Sequence, residues 1–532
     1  MRADIEAVEF GAVCRLIERL TATPYGADAA HGLAPAPDQE TALKMQRSVT
    51  AARMAIEQGT SGLGRLPDIR AALRQAAQTG SALPGTALAH IAQLLHLNKD
   101  VQALVARYGN LYPGPAEDLM PPPALQAALV DAVLPTGRIR DAASPKLTAL
   151  AARLTEQQQA IQAVLKKRLI ELQIKEPHTD NVVTSGARLL LSLSAEHAAK
   201  VKGVRRGPGA NGRQQLVEPL EAVALNNRLE ASFGERDAEE LIVRRGLTTH
   251  VRDATASLDI LVGVLAWIDL AFAGGHLSVH MNASPPRFDM APVLHLEGAY
   301  HPAMLLAFAD KRGPQPVPLS ITLDAHHPML LITGPNTGGK TVVLKTVGLL
   351  VTMAYCGLHL PVEGESVIGN FSRLIVDIGD RQSLLHQLST FAGHVEVLKR
   401  LLSEADADTL VLMDELGTGT DPEEGAALAM AVLDELAGRR VRGIITTHLS
   451  PLKAYAAGHS HLTNATMRFD SERLVPTYQL EVGKSGSSHG LTIAERRGLP
   501  QTLLQAARMH LARIAAGHET LDKGAVDDVP PS

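Results

Sequence analysis

Gly334-Pro335-Asn336-Thr337-Gly338-Gly339-Lys340-Thr341 constrains the fold of this chain more than any other stretch. It has the spacing GxxxxGK[ST], directly after the apolar run Met329 to Thr333 and directly before Val342, Leu344, Val347 and Leu350, which recur at helical spacing. A strand, a glycine-rich turn and a helix in that order can wrap successive backbone N–H groups around an anion, and the helix N-terminus adds partial positive charge. The spacing therefore predicts a phosphate-binding loop for ATP. Gly334 to Gly339 cradle the phosphates, Lys340 reaches the β- and γ-phosphates, and Thr341 holds Mg²⁺.

From about His327, short apolar runs at Met329 to Thr333, Leu374 to Val376, Leu410 to Met413 and Gly443 to Thr446 alternate with helical stretches. That alternation reads as an α/β domain around a largely parallel, buried sheet. The run Thr409 to Met413 delivers Asp414 and Glu415 at its C-terminal end. There, Asp414 would bind the metal and Glu415 would polarise a water for in-line attack on the γ-phosphate. Another run ends in Thr446-Thr447-His448 and puts an imidazole at the same sheet edge. His448 either senses the γ-phosphate or is structural, as a lone histidine usually is.

The first 270 or so residues read mainly as helix. Phe10, Val13, Ile17 and Leu20 share one helical face, and Ser144-Pro145 combines a capping hydroxyl with a residue preset for the first turn. Leu147, Leu150, Leu154, Ile161, Leu165, Leu169 and Leu172 then recur at near-heptad spacing. A coiled-coil-like arm and a plain buried helix of a bundle fit this stripe equally. Asn181 to Val217 changes texture, and the glycine-rich segment Gly203 to Arg213 predicts strand and hairpin. Helical periodicity resumes after Pro219 and runs to about Gly274.

With 51 Lys plus Arg against 56 Asp plus Glu, the net charge is −5, so any contact with nucleic acid has to come from local clusters. The cluster Lys200, Lys202, Arg205, Arg206 and Arg213 follows the glycine-rich segment, with a solvated hairpin as the plain alternative. Cys14 and Cys356 are far apart and form no CxxC, which fits a reducing compartment. The acidic N-terminus has no apolar core of a secretion signal, and the most apolar stretches contain Asp259 and Asp269 or Lys345. A cytoplasmic protein without a membrane span is expected.

The runs GPNTGGKTVVLKTVGLL, DIGDRQSLLHQLSTFAGHV, LVLMDELGTGTDPEEGAALA and TTHLSPLKAYA together resemble the MutS family of ABC-type ATPases, most closely its type 2 bacterial branch. The likeness continues through Asn464 to Asp470 and Pro476-Thr477-Tyr478. Upstream it includes Asp141 to Pro145, Val217-Glu218-Pro219 and Leu225-Asn226-Asn227, so it covers nearly the whole chain. It implies an ABC-type P-loop ATPase domain preceded by a mainly α-helical core and lever region with a long coiled-coil-like arm. It also implies a homodimer through the ATPase domains, with Ser389 and Thr390 matching the signature segment that completes the partner subunit's nucleotide site.

By the same resemblance, ATP hydrolysis would be coupled to recognition of structured or branched DNA in mismatch repair or control of recombination. A ribosome- or RNA-associated ATPase in translation quality control is the alternative, because such an engine reports the motor and not the cargo. A regulator working with a separate nuclease partner is the third reading. The expected organisation is a helical core and first lever helix at 1–180, a strand/hairpin connection with returning lever helices at 181–290, the ATPase domain at 291–515 and a disordered acidic tail at 516–532. No Phe-x-Glu mismatch wedge occurs near the start. The acidic tail takes the place of the branch's usual Smr nuclease domain, so intrinsic endonuclease activity is not expected. Gly486 to Gly490 fits GxSxG, yet a triad also requires an acid and then a histidine downstream, and only a short helix and a tail remain after it.

Overall fold

The computed structural model describes residues 2–174, 181–209, 212–334, 338–378, 390–470, 475–484, 491, 494–495 and 498–524. A short strand β1 (Arg2–Ala3) precedes the helices α1 (Phe10–Leu20), α2 (Pro24–His31), α3 (Gln39–Glu57), α4 (Arg70–Ala76), α5 (Gly85–Arg107) and α6 (Pro123–Ala132). The next helix, α7 (Pro145–Glu171), starts where the sequence predicts, with Ser144 Oγ accepting from the Leu147 amide at 3.1 Å. Then come β2 (Val182–Ser185), β3 (Arg188–Ser194), α8 (Ala195–Lys200), β4 (Gly203–Pro208) and β5 (Gln214–Pro219), followed by α9 (Leu220–Asp253) and α10 (Thr255–His280).

Helices α7 and α9 run antiparallel. Lys146 pairs with Glu239 at 3.3 Å near one end, and Ile161, Leu165 and Leu169 of the apolar stripe share a core with Ala222 and Leu229 toward the other. That core continues into the antiparallel sheet β2-β3-β5-β4, so the sheet sits at the far end of the helix pair. The sequence reads as one helical stretch from Pro219 to about Gly274. The structure breaks it at Ala254 (φ −96°, ψ 3°) and carries it on to His280.

By length and composition α10 is, among the described residues, the one helix that could cross a membrane. Here it is the central helix of the helical region, with Leu258, Leu261, Leu265, Ile268 and Phe272 in the core. Asp269 on α10 is buried, and its carboxylate accepts from the Ala22 amide at 3.0 Å, the Thr23 amide at 2.8 Å and Thr23 Oγ1 at 2.6 Å. Burial raises the pKa of this carboxyl and the three donors oppose the rise.

The C-terminal half continues with β6 (Arg287–Phe288), β7 (Leu294–Ala299), α11 (Pro302–Ala309), β8 (Leu319–Leu323) and β9 (Met329–Thr333). After these come α12 (Lys340–Tyr355), β10 (Ser366–Ile368), β11 (Arg373–Asp377), α13 (Thr390–Glu404), β12 (Thr409–Met413) and α14 (Pro422–Gly438). The chain closes with β13 (Arg442–Thr447), α15 (Ser450–Gly458), β14 (Leu462–Asp470), β15 (Val475–Val482) and α16 (Gln501–Gly524). The large sheet has the order β1-β11-β12-β13-β9-β14-β15, parallel throughout except for the β14–β15 pair. Strands β9, β12 and β13 are buried along their whole length, the state their unbroken apolar runs predict. A smaller sheet, β6-β10-β7-β8, is separate from it.

Two features differ from the sequence reading. The first residues do not belong with the helical region alone. β1 extends the large sheet at β11, and Val8, Phe10, Val13 and Ile17 share one core with Leu344, Val347 and Val351 of α12. The segment expected to be a disordered tail from residue 516 is helical at first, because α16 runs to Gly524, and residues 525–532 lie outside the described residues.

Candidate nucleotide site

Strands β12, β13 and β9 lie side by side and parallel, with Met413 in register with Ile445 and Thr447 with Thr333. The segments after these three strands therefore emerge at one edge of the sheet, the place where open parallel sheets hold ligands. After β9, Gly334 (φ 129°) turns the chain and Gly339 (φ 93°) precedes α12. A Cβ on Gly339 would stand 3.0 Å from Tyr478 Cδ1, so both backbone and neighbour call for glycine. Gly338 lies between them, and Pro335, Asn336 and Thr337 are outside the described residues.

Lys340 opens α12 and is almost fully buried, with its Nζ donating to the Gly334 carbonyl. Burial holds its ammonium below the usual lysine range, while the nearby Asp414 and Glu415 charges pull the other way. A desolvated ammonium with a carbonyl partner gains strongly from an incoming anion.

Thr341, in the first turn of α12, donates its hydroxyl proton to Asp414 Oδ2 at 2.6 Å. Thr446 on β13 donates to the other carboxylate oxygen, Oδ1, so Asp414 is held from both sides. The same Thr446 hydroxyl accepts from the Glu415 amide at 2.9 Å, and the Thr446 carbonyl accepts from the Leu416 amide at 3.0 Å. These bonds fix a left-handed turn at Glu415 (φ 56°), a conformation that costs a non-glycine residue on the order of 1 kcal/mol. The Asp414 amide donates to the Asp377 carbonyl at 2.9 Å, and Asp377 Oδ2 lies 3.1 Å from His394 Nδ1 on α13. His448 follows β13 directly and is exposed. Ser389 is outside the described residues. Thr390 begins α13, and its side chain is likewise outside them.

The donor set suits Mg²⁺. A hydroxyl and a carboxylate already in contact offer oxygen to a hard cation that keeps several of its waters. Among the described residues no group of three or more His, Cys, Asp or Glu is arranged to hold a metal. Beside Gly339 a groove of about 360 Å³ is lined by His301, Val317, Val342, Met467 and Tyr478 among others. His301 Nδ1 is buried with no hydrogen-bond partner among the described residues, and burial holds its imidazole below the usual histidine range.

The predicted site residues separate into two places. Lys340, Thr341, Asp414, Glu415 and His448 converge at the strand ends. Lys200 ends α8, Arg205 and Arg206 lie on β4 of the sheet at the end of the helix pair, and Lys202 and Arg213 lie in the connections before β4 and β5. There Arg206 is tied to Glu218 at 2.6 Å, and Glu218 is fully buried and also takes Arg188 at 2.7 Å and Asn226 at 2.9 Å. Burial opposes ionisation of Glu218, but Arg206, Asn226 and Arg188 together hold its pKa below the usual range. Arg205 donates to the Ala198 carbonyl, Lys200 pairs with Glu196 at 2.8 Å, and Lys202 is exposed. Sequence reasoning missed a role for Thr446, which reads as an ordinary β-branched strand residue, and for Tyr478, which enters only as the end of the run Pro476-Thr477-Tyr478.

Residues 330–515 match the family description MutS domain V. Over 528 residues, 98% of this chain, the sequence is 35% identical to a protein of Symbiobacterium thermophilum named Endonuclease MutS2. Proteins of the same name from Thermomicrobium roseum (35% over 517 residues, 95% of this chain) and Bacillus cereus (32% over 530 residues, 96%) are also similar. The chain spans 65% of the length of each of these three relatives.

Proposed function

This chain belongs to the MutS family, and we propose on that footing that it is a Mg²⁺-dependent ATPase whose nucleotide state changes its grip on DNA. The observation that carries the reading is the convergence of Lys340, the Thr341–Asp414 pair and Glu415 at one sheet edge. Lys340 Nζ exchanges the Gly334 carbonyl for β- and γ-phosphate oxygens. The Thr341 hydroxyl and the Asp414 carboxylate hold Mg²⁺, which supplies charge neutralisation to the phosphates when bound. Glu415 takes a proton from the attacking water, and His448, at the neighbouring strand end, senses the γ-phosphate. The apolar groove beside Gly339 has room for the base, with Tyr478 on its wall.

The fold reading that goes with this function is an ABC-type P-loop domain joined to a coiled-coil-like lever arm. It is supported by the parallel strand order around β9 and by the antiparallel α7–α9 pair. Two chains act as a homodimer in the cytoplasm, with Ser389 and Thr390 of each facing the nucleotide of the other. The target is structured or branched DNA, met in mismatch repair or in control of recombination.

Binding of matched duplex, mismatched duplex and four-way junction, each with ATP or ADP and Mg²⁺, tests the coupling. The proposal expects the junction to bind most tightly and its affinity to differ between the two nucleotides. Affinities independent of nucleotide, or no DNA binding alongside cosedimentation with ribosomes, would overturn it.

A further inference from the structure

A second concave surface shares no lining residue with the strand-end site. It is formed by α1, the turn into α2 and the segment before Ile69, has a volume of about 610 Å³, and is lined by Arg15, Glu18, Arg19, Thr23 and Arg65 among others. Arg15, Arg19 and Arg65 are exposed, and among the described residues none of them has an ion-pair or hydrogen-bond partner. Each guanidinium is thus free to place its fork of N–H donors on an incoming oxyanion.

The acids nearest to hand are already engaged. Asp28 and Asp68 both pair with Arg70, at 2.5 and 2.7 Å, and Asp269 is saturated by Thr23 and the Ala22 amide. Glu18 is the one carboxylate on the lining, so three guanidinium charges against one leave a local surplus of two. That surplus stands on a chain whose net charge is −5. A concentrated positive surface on an acidic protein attracts a polyanion, and its exposure to solvent suits an extended strand better than an enclosed small ligand.

Resting on the DNA-binding reading above, we propose that this groove binds the sugar-phosphate backbone of DNA through Arg15, Arg19 and Arg65. The groove is also connected to the nucleotide site through α1, which carries Arg15 and Arg19. Glu9, the residue before α1, accepts from Lys345 Nζ at 2.6 Å, and Phe10, Val13 and Ile17 share a core with Leu344 and Val347. Lys345, Leu344 and Val347 all belong to α12, the helix that Lys340 opens. A backbone seated on α1 therefore presses on an element packed directly against the phosphate-loop helix.

The test compares duplex binding across a salt series for the full chain, for Arg15→Gln/Arg19→Gln/Arg65→Gln, and for the charge-matched Arg74→Gln/Lys99→Gln/Lys311→Gln. Each phosphate neutralised contributes a slope of about −0.9 in log K against log salt, so the groove variant should lose roughly 2 to 3 from the slope. The charge-matched variant should lose less than about 1. Thermal unfolding checks that each variant is folded. If the groove variant is not, Arg15→Lys/Arg19→Lys/Arg65→Lys keeps the charge and should weaken binding while preserving the slope. An unchanged slope in the glutamine variant, or an equal loss in the charge-matched control, overturns the proposal. So does loss of tripolyphosphate binding with an unchanged duplex slope, which would assign the groove to a free anion. Failure of the unsubstituted chain to bind any duplex would instead bring down the DNA-binding reading itself.

Discussion

Thr341 Oγ1 donates to Asp414 Oδ2 at 2.6 Å across the end of β13, the strand that separates the two segments carrying them. The contact joins the start of the phosphate-loop helix to the acid that would share its cation. A hydrogen bond to a charged group is worth about 1.5–3 kcal/mol, so Thr341→Ala should raise the Mg²⁺ needed for half-maximal ATP turnover by about tenfold or more. Asp414→Asn should raise it further. A Mg²⁺ titration with no shift in either variant would remove both residues from the metal site.

Thr446 touches both acids, donating to Asp414 and accepting from the Glu415 amide. Thr446→Val keeps the shape and deletes both bonds, so kcat should fall by about tenfold or more while ATP affinity changes little. Equal losses in kcat and affinity would mean that Thr446 only supports the strand. The serine variant should recover most of the rate.

Asp269 satisfies three donors around Thr23 from the middle of α10. Asp269→Ala leaves them buried and unpaired, and should cost about 3–5 kcal/mol of stability, read as a lower urea midpoint at unchanged slope. Asp269→Asn, which still accepts, should cost clearly less. Similar midpoints for the two variants would show that the carboxylate is not what holds α10 to the turn between α1 and α2.

His359 is buried between Ser278 Oγ at 2.7 Å and Thr50 Oγ1 at 2.9 Å. Burial, helped by the Arg53 charge, pushes its pKa down to about 4, so it is neutral in the fold at neutral pH. The unfolded chain, with an ordinary histidine near 6.5, binds the proton first as pH falls. Stability from this group is therefore full above about pH 6.5 and is lost between there and about pH 4, by roughly 3 kcal/mol. Equilibrium unfolding across that window should show the loss, and His359→Asn should flatten it by about one proton. An unchanged pH dependence in the variant would mean that another group is responsible.

How legible each element is in the sequence depends on how local its physics is. Strands β9 and β12 are fully buried, so their apolar runs predict them to within a residue, and the glycine spacing before Lys340 reports a backbone requirement that is local. By contrast, β1 is a strand only because Arg2 and Ala3 find Arg373 and Leu374, and two residues cannot announce such a pairing. The break at Ala254 falls on a good helix former, so packing and not propensity sets it. Arg206 reads as a free cation beside Arg205, yet a buried glutamate on the next strand captures it. Thr446 hides for the same reason, since its hydroxyl acquires a role only when β13 is laid beside β12.

Phosphate release from ATP in the presence of Mg²⁺, measured beside nucleotide binding for the unsubstituted chain, Lys340→Ala and Glu415→Gln, tests the central claim most directly. The account predicts turnover in the first, loss of binding and turnover in the second, and retained binding with a rate lower by about 10² or more in the third. Undiminished phosphate release from either variant would contradict it.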